Sequence, residues 1–479
     1  MNNTVNIVWF RQDLRKEDNP ALFKAAENDA TIFPIYILDD ENADRWSMGE
    51  ASRWWLHKSL YSLNKSLNGN LHFFIGKADQ IIPDLIDKTK ATGVYWNRCY
   101  EPWRITRDKK IKTSLLNNNI KVRSFNGSLL FEPPNIKKAN DTPYKVFTPF
   151  YKKGCLENGP APRELFTSPP KLIFEKNFSS KQLSDLNLLP SVTWYRDMEN
   201  TWSPGEQGAH ERLNNFLKQG IQNYKIGRNR PDKEFVSRLG GHLHFGEISP
   251  HQAWFRAKAL KHSSATKDSI EHFLSELGWR EFSNNLLYYW QQLPENNLQK
   301  KFDRFPWLDN SKSLERWQHG LTGYPIVDAG MRQLWKTGYM HNRVRMVTGS
   351  FLVKNLMLHW QHGERWFWDT LLDADLANNS ASWQWIAGCG ADAAPFFRIF
   401  NPVVQGEKFD PNGDYIREYI PEISEIPTKF IHKPWEAPED ILLKAGITLG
   451  KDYPLPIVDL KLSRERALSA FKNLSEKIN

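Results

Sequence analysis

The first part of the chain alternates short apolar segments with amphipathic stretches. The amphipathic stretches at 51–67 and 78–90 predict helices, because their apolar positions recur at the spacing of one helix face. Strands and helices in alternation are typical of a doubly wound parallel sheet. We therefore predict a Rossmann-like α/β domain over residues 1–134, with buried strands at 6–10, 31–37, 71–75, 93–96 and 121–125.

The turn after the first strand lacks the glycines that bind dinucleotide phosphates. Its sequence is Arg11-Gln12-Asp13-Leu14-Arg15, where the Rossmann motif would require G-x-G-x-x-G. The α/β domain is therefore not expected to bind a dinucleotide in the Rossmann manner.

The pattern changes after residue 134. Residues 135–204 are rich in Pro, Lys, Ser and Asn and have weak periodicity, which predicts a long connection between domains. From residue 205 onward helical periodicity dominates, which predicts an all-α domain over 205–479. Its clearest helical stretches are 205–219, 269–292, 326–336, 342–360 and 365–372.

The composition is that of an ordinary globular protein with more than one domain. The chain has 479 residues, of which 40% are hydrophobic and 25% are charged. No apolar run is long enough to cross a bilayer and no secretory signal is visible, so we expect a cytoplasmic protein without a membrane partner. Cys99, Cys155 and Cys389 are far apart and form no CxxC pair, which argues against a disulfide framework, a zinc site or an iron–sulfur cluster.

Two bulk features are less ordinary. The formal net charge is +9, which suits a polyanionic partner but is shared by many proteins that bind none. The chain also contains 20 tryptophans. Most of them will be core residues, but so many also suggest stacking surfaces or electron carriers.

Two helical stretches in the second half carry unusual faces. Glu276, Trp279 and Arg280 are spaced i, i+3, i+4 and so share one face. This face could be a functional surface or a core tryptophan beside a local Glu–Arg pair, and the spacing does not decide between them. On the other stretch Asn342 and Met346 lie one turn apart, and the alternative there is a solvated basic face with one core methionine.

The stretch 373–385 is harder to explain as packing alone. It brings together carboxylates, amides and indoles within a few turns. No His or third acid lies at a regular ligand spacing, so no metal is expected. The acids and amides could instead hydrogen-bond a polar heterocycle, and the indoles could stack on a base. The residues alone thus indicate a polar, aromatic cleft in a basic helical domain.

Five motifs in this sequence resemble those of the photolyase/cryptochrome family. They run in order across almost the whole chain, and the sequence is most similar to bacterial cyclobutane pyrimidine dimer photolyases. The resemblance implies an α/β domain, a long linker and a helical domain that binds FAD. The motifs are WFRQDLR at 9–15, YKVFTPF at 144–150, TGYPIVDA at 322–329, MHNRVRM at 340–346 and FRIFNP at 397–402.

The resemblance also implies which residues bind the flavin. Arg345 and Asp373 match a salt bridge beside the isoalloxazine ring, and Asn379 matches the amide that faces flavin N5, where it can accept a hydrogen bond. The other matched FAD contacts are Tyr224, Ser237, Arg238, Leu239, Arg280 and Asp375.

Electron transfer and lesion binding follow from the same resemblance. Trp307, Trp360 and Trp383 match a tryptophan chain that carries electrons from the surface to the oxidised flavin. In the lesion pocket, Glu276 would stabilise the radical anion and Trp279 and Trp385 would stack on the flipped dinucleotide. Asn342 and Met346 complete the matched pocket, and Arg228, Arg343 and Arg398 would bind the flanking DNA phosphates.

The implied activity is light-dependent repair of cyclobutane pyrimidine dimers in UV-damaged DNA by electron transfer from photoexcited reduced FAD. Relatives that repair (6–4) photoproducts have a histidine where Asn342 stands, so this alternative is disfavoured. A cryptochrome-type photoreceptor is a second alternative, but many cryptochromes lose lesion-pocket residues that are intact here. A monomer suffices for the repair chemistry and is the expected state.

Some positions depart from the family pattern. Val236 and Gly240 stand where relatives commonly have hydroxyl residues around the FAD phosphates, and Phe273 and Tyr339 replace frequent tryptophans. Trp103 and Arg104 stand where folate-antenna relatives carry Asn and Glu. A deazaflavin antenna, a methenyltetrahydrofolate bound differently, or no antenna all remain open.

Overall fold

The computed structural model of the chain describes residues 4–166, 171–175, 178–260, 264–393 and 397–476. The chain forms two compact units, each built from separate segments. The first unit comprises 1–219, 237–291 and 372–377, and the second comprises 220–236, 292–371 and 378–479. These units group residues by proximity in space, and the predicted domain limits at 134 and 204 stay a prediction.

The first unit contains the predicted parallel sheet. Its strands have the order β3-β2-β1-β4-β5, with β6 paired to the start of β2. All of these pairings are parallel. The α/β prediction is therefore confirmed, and each predicted strand is present to within a residue at either end. The strands are β1 (Val5–Phe10), β2 (Thr31–Leu38), β3 (His72–Ile75), β4 (Gly93–Asn97), β5 (Lys121–Phe125) and β6 (Ile173–Phe174).

Burial explains why the central strands are apolar without alternation. Every residue of β1, β2 and β4 is buried, as expected for a parallel sheet that helices cover on both faces. Side chains such as Ile7, Phe33 and Val94 are fully buried in one continuous core. This core fixes the carboxyl edge of the sheet, where ligands of doubly wound folds bind.

The helices follow in chain order. The first are α1 (Pro20–Ala25), α2 (Asp40–Ala43), α3 (Glu50–Ser66), α4 (Ala78–Thr89), α5 (Pro102–Asn117), α6 (Phe147–Pro149), α7 (Arg196–Thr201), α8 (Glu206–Asn215), α9 (Tyr224–Gly227), α10 (Gly240–His244), α11 (Pro250–Lys258) and α12 (Ser264–Tyr289). Of these, α9 belongs to the second unit.

The remaining helices form most of the second unit, as the predicted helical domain requires. They are α13 (Ser311–Gln318), α14 (Pro325–Thr337), α15 (Asn342–Ser350), α16 (Trp360–Thr370), α17 (Leu376–Ala387), α18 (Pro402–Phe409), α19 (Asp414–Tyr419), α20 (Glu439–Lys444) and α21 (Leu460–Glu476). The first two residues of α17 belong to the first unit. Among the described residues, none of these helices combines the length and apolarity needed to span a membrane.

The single helix predicted over 342–360 is wrong in its second half. The α-helix ends at Ser350, a wider π-helical turn follows at Phe351–Asn355, and Met357 takes a left-handed φ of 53°. The Leu308 N–H donates to the Met357 carbonyl at 2.8 Å, which replaces the helical hydrogen bond. A new helix then starts at Trp360, where the His359 side chain caps it by accepting from the Gln361 N–H.

The segment predicted to be a long connection between domains, 135–204, has local structure where it is described. It contains α6, a π-helical turn over Phe150–Glu157, and α7. Its residues Ile173–Phe174 form β6 because they pair with Thr31 and Ile32 of β2, and Phe178 packs on the sheet core. Two apolar residues beside an open strand edge are enough for this pairing, which the weak periodicity did not indicate.

Candidate functional site

A cavity opens at the carboxyl edge of the sheet in the first unit. It contains about 540 Å³ of space including its mouth, which is within the size range of small-molecule sites. Residues at the ends of β1 and β2, among them Trp9, Arg11, Gln12 and 36–40, line it, and Trp46, Trp103, Arg104, Arg107 and His244 are part of the remaining wall. The position is that of a ligand site in a doubly wound fold.

Guanidinium groups stack on indoles along one wall of this cavity. Arg107 lies over the rings of Trp9 and Trp103 at 4.6 and 4.9 Å, and Arg104 lies over Trp103 at 4.6 Å. Burial opposes the charge of Arg104, but Glu101 and neighbouring anionic groups outweigh it and raise its pKa. The cavity therefore offers flat aromatic surfaces beside permanent positive charge, which suits a planar chromophore with acidic groups.

A smaller and more polar cavity shares residues with the first. It contains about 310 Å³, and Gln12 and His244 line both cavities. Arg280 and Asp375, two of the predicted FAD contacts, line this second cavity. The His244 Nδ1 lies 3.7 Å from the Asp375 carboxylate. Within the first unit, the cavity at the sheet edge thus adjoins residues predicted to bind the flavin.

The segment predicted to bind the FAD phosphates has an unusual backbone. Arg238 takes a left-handed φ of 51°, which is strained for a non-glycine residue. Two residues on, a Cβ atom at Gly240 would overlap the carboxylate of Asp373. The departure at Gly240 therefore has a steric reason here, because only glycine lets the start of α10 approach Asp373 so closely.

On the face predicted from Glu276, Trp279 and Arg280, the arginine pairs with Glu281 rather than with Glu276. Trp279 stacks on Phe147 with ring centroids 3.8 Å apart and planes at 9°. Arg280 donates to the Ser128 carbonyl at 2.8 Å and pairs with Glu281 at 3.1 Å. Phe147 therefore covers one face of the indole, and only its other face is free to stack on a base.

The exposed start of α15 concentrates polar groups. His341 caps the helix by accepting from the Arg343 N–H at 3.2 Å, and Asn342 is exposed beside it. Arg343 donates to Asn229 Oδ1 at 2.6 Å and lies over the Phe409 ring at 4.5 Å. Burial, and then the positive charge of Arg228, lower the pKa of Arg343. An anion such as a phosphate would offset the positive charge of both arginines.

The other predicted lesion and flavin residues of the second unit are also placed. Arg345 donates to the Met340 carbonyl at 2.8 Å, and Trp385 donates its indole N–H to the Asp392 carbonyl at 3.2 Å. Met346 and Trp385 are half-buried and Arg398 is exposed. Tyr224 is buried in α9, with the Arg228 guanidinium 5.9 Å from its ring centroid.

The three predicted electron carriers lie in the second unit around α16. The His359 ring lies between Trp307 and Trp360, with centroid distances of 5.1 and 5.6 Å. Trp360 is fully buried and donates to Asn297 Oδ1 at 2.9 Å. Burial, with the positive charges of His362 and Arg365, lowers the pKa of His359 to about 4, so its ring is neutral near pH 7.

Trp383 packs directly on the helix that Trp360 begins. A Cβ atom at Gly363, three residues after Trp360, would overlap the Trp383 indole. Trp383 also meets Phe367 edge-on at 5.0 Å and Trp317 at 6.2 Å. A compact aromatic path within the unit therefore runs from Trp307 through His359 and Trp360 to Trp383.

Asn379 has the orientation that a flavin contact would need. Its side-chain N–H donates to the Glu364 carbonyl at 2.9 Å, in a buried position. The Glu364 carboxylate in turn accepts from Ser380 Oγ at 2.5 Å. The amide oxygen of Asn379 is thereby left as the acceptor, which fits an N–H group of a bound flavin.

Several residues that build the site were missed by sequence reasoning. Phe147 lay inside a quoted motif, but nothing in the sequence linked it to Trp279 far along the chain. Asn229 accepts a hydrogen bond from Arg343 and Glu364 accepts one from Asn379, and neither belongs to a recognised motif. The predicted pairing of Arg345 with Asp373 joins residues of different units and stays a prediction, as do the roles of all the predicted site residues.

One group of potential metal ligands occurs in the part of the chain that the structure describes. Ligand atoms of Glu17, Glu206 and His210 lie within 4.8 Å of one another. The Glu206 carboxylate already accepts the N–H groups of Lys16 and Glu17 at 3.0 and 2.7 Å. These two hydrogen bonds therefore account for the position of the Glu206 carboxylate without an ion.

The fold and the aromatic site define a flavin-binding photolyase-type protein, and comparison with protein families agrees. Residues 6–168 match the family described as DNA photolyase, and residues 273–473 match the FAD binding domain of DNA photolyase. The chain belongs to the photolyase/cryptochrome family and carries its FAD-binding domain.

Individual relatives cover nearly the whole chain. A deoxyribodipyrimidine photo-lyase of Agrobacterium fabrum is 48% identical over 97% of both chains. Cryptochrome-1 of Arabidopsis thaliana is 37% identical over 98% of this chain and 70% of its own length. The crystal structure of a bacterial class III photolyase from Agrobacterium tumefaciens superposes with a TM-score of 0.94 at 46% identity, covering 99% of this chain and 98% of that one.

Proposed function

We propose that this chain is a light-dependent DNA-repair enzyme that reverses cyclobutane pyrimidine dimers with FAD as cofactor. The observation that carries the proposal is the start of α15, where Asn342 is exposed beside the Arg343 guanidinium, which Asn229 and the Phe409 ring hold in place. Such a site can bind a base edge and its flanking phosphates together. Similarity over the full length to a relative named deoxyribodipyrimidine photo-lyase supports the same conclusion.

The lesion-facing residues would divide the work of recognition. Asn342 would hydrogen-bond a pyrimidine edge, and Glu276 would stabilise the negative charge that develops on the opened dimer. Trp279, which Phe147 holds rigid from behind, would offer one flat face to a flipped base. Trp385 would offer another, because its N–H bond to Asp392 fixes the indole. Met346 would supply an apolar contact.

The flavin, when bound and reduced, supplies a light-driven electron to the lesion and takes it back after the ring has opened. Asn379 would hold the flavin N5 region through its amide oxygen, and Glu364 fixes that amide. Tyr224, Ser237, Arg238 and Leu239 would bind the phosphates. Arg280, Arg345, Asp373 and Asp375 are proposed as the remaining contacts.

Trp307, Trp360 and Trp383, in that order, would carry electrons inward from the surface when the cofactor is oxidised. Indoles suit this role because they are oxidisable and can pack within a few ångströms of one another. The cavity at the sheet edge is proposed to hold the second, light-harvesting chromophore, because its stacked Trp and Arg side chains suit a planar, acidic ligand. A monomeric state and a cytoplasmic location stay predictions.

A photoreceptor function is the second candidate. The similarity to Cryptochrome-1 of Arabidopsis thaliana favours it. Repair is favoured because the residues matched to the lesion pocket are all present in the sequence, and because the similarity to a photo-lyase is greater. Repair of (6–4) photoproducts is a weaker candidate, because Asn342 stands where such relatives have histidine.

Repair of a defined lesion tests the proposal. Photoreduced protein is mixed with an oligothymidine that carries one cyclobutane dimer, and the recovery of thymine absorbance is followed under blue light. We expect light-dependent recovery, slowed about tenfold or more by Glu276→Ala, since a charge-stabilising group is removed. Asn342→Ala should weaken binding of the lesion by about 1–3 kcal/mol.

Glu271→Ala is the matched control, because Glu271 is an exposed glutamate of the same helix α12. It should repair at the wild-type rate. Flavin-loaded, reduced protein that fails to restore the absorbance would refute the repair proposal and favour the photoreceptor. Recovery with a (6–4) substrate alone would assign the other lesion.

A further inference from the structure

Lys354 is a buried lysine to which the repair chemistry gives no role. It lies in the π-helical turn Phe351–Asn355 that follows α15, and its relative exposure is only 1%. Burial lowers the pKa of its ammonium group to about 7, with the neighbouring Cys389 acting in the opposite direction. A buried ammonium is costly to a fold, so its presence calls for a specific partner.

The partner of Lys354 is the segment 397–400. The Lys354 Nζ lies 3.3 Å from the centroid of the Phe397 ring and 3.5 Å from the Arg398 carbonyl oxygen. Both contacts favour a positive charge on the amine. Four residues earlier, Ser350 Oγ accepts from the Phe400 N–H at 3.1 Å. The end of α15 and the turn after it thus hold this segment at both of its ends.

The segment that is held carries an exposed arginine between its anchors. Arg398 is exposed, whereas Phe397 stacks on Phe471 with centroids 4.5 Å apart and planes at 8°. After the segment, the Asn401 side chain caps α18 by accepting from the N–H groups of Val403 and Val404. Arg398 therefore projects from a short loop whose backbone is fixed on either side.

The stretch of chain that holds the 397–400 segment, α15 and the π-helical turn after it, begins with residues predicted to face the lesion. Asn342 and Arg343 open α15, and Ser350 and Lys354 lie near the end of the stretch. All these residues belong to the second unit. One continuous piece of backbone therefore carries Arg343 and also sets the place of Arg398.

We propose that Lys354 is a positioning residue that holds the 397–400 segment so that Arg398 can bind a DNA phosphate. The ammonium group fixes the backbone at Phe397 and Arg398 through the ring and the carbonyl. It does not touch DNA itself. This inference rests on the proposed function in that it takes DNA as the ligand.

A double-mutant cycle tests the proposal. FAD-loaded wild type, Lys354→Met, Arg398→Ala and the double variant are titrated in the dark with a fluorescent duplex that carries one cyclobutane dimer. Methionine keeps the length of the side chain and removes its charge. We expect each single variant to weaken binding roughly five- to tenfold and to lower the slope of log K against log salt by about one. The double variant should bind no more weakly than Arg398→Ala alone.

Lys301→Met is the matched control, because Lys301 lies over the rings of Phe302 and Phe471 in the same aromatic cluster. It should bind like wild type with an unchanged slope. Lys354→Gln, which keeps a hydrogen-bond donor without the charge, is measured beside Lys354→Met in case one of the two folds poorly.

Two results would overturn the proposal. One is a double variant whose loss equals the product of the two single losses, and the other is wild-type binding by Lys354→Met. Failure of the repair proposal would give a different result: the wild-type protein would bind damaged and undamaged duplex with equal affinity. In that case the same double-mutant cycle, measured with undamaged duplex, still decides whether Lys354 acts through Arg398.

Discussion

Single small residues set the closest contacts of the candidate site. Gly240 lets the start of α10 approach the Asp373 carboxylate, and Gly363 lets the Trp383 indole lie against α16. At Gly363 the need for glycine is one of space, because the surrounding residues form a regular helix. The path from Trp360 to Trp383 thus depends on the absence of one methyl group.

We expect Gly363→Ala to push the Trp383 indole away from α16. The free energy of unfolding should fall by about 2 kcal/mol, as for other overpacked cores. Photoreduction of the oxidised flavin should slow, because the spacing of the aromatic path increases. Denaturant unfolding and bleaching of the flavin absorbance under blue light measure the two effects.

Gly349→Ala provides the comparison for this change. A Cβ atom there would lie 3.4 and 3.6 Å from Ile386 and Trp383, which is ordinary contact. Its photoreduction should match wild type. Equal rates in both glycine variants would show that the packing at Gly363 does not set the electron path.

At the scale of the element, helix ends carry much of the local chemistry. Asp410 is fully buried before α19 and accepts from the N–H groups of Tyr415 and Ile416, each at 3.1 Å. Burial, and then the negative charges of Asp232 and Asp414, raise the pKa of Asp410 to about 7. The carboxylate satisfies two backbone donors but is held in surroundings that oppose its charge.

Asp410 should make stability depend on pH. Its pKa is higher in the folded state than the ordinary 3.8, so the folded protein binds more protons between these values. Its contribution is full below about pH 4 and is lost as the pH rises through about 7. Relative to Asp410→Asn, wild type should lose roughly 2–4 kcal/mol of unfolding free energy over this range.

Denaturant unfolding at several pH values measures this difference. Asp440→Asn is the control, since Asp440 is an exposed carboxylate in the first turn of α20. It should leave the pH profile unchanged. A profile of Asp410→Asn parallel to that of wild type would contradict the assigned pKa.

The elements were predictable where a periodic pattern was long. The buried strands and α14 were found because apolar residues alone define them. The break between α15 and α16 was missed, because a π-helical turn and the left-handed Met357 keep the apolar periodicity while the chain changes direction. At the candidate site, the motifs predict which residues bind, but the residues that support them, such as Phe147 behind Trp279, depend on tertiary contacts that no local pattern encodes.

At the scale of the whole molecule, the positive charge should govern the encounter with DNA. The net charge is +9, and Arg343 at the start of α15 and Arg228 directly after α9 add positive charge in the second unit. Binding of any duplex should therefore weaken steeply with salt. Discrimination of the lesion should depend instead on the pocket residues.

Arg343→Ala should lower the salt slope of duplex binding by about one, for damaged and undamaged DNA alike. Fluorescence titrations between low and moderate salt measure the slope. Arg464→Ala, at an exposed position of α21, should change neither slope nor affinity. A loss confined to damaged DNA would instead assign Arg343 to the lesion itself.

The division of the chain into interleaved segments bears on how the protein is made. The first unit includes residues 372–377, and the second includes residues 220–236, which lie in sequence between two segments of the first. During synthesis, neither unit can be completed until most of the chain has left the ribosome. We therefore expect the early α/β segment to remain partly assembled until then, and truncated fragments that end before residue 372 to expose apolar surface and depend on chaperones.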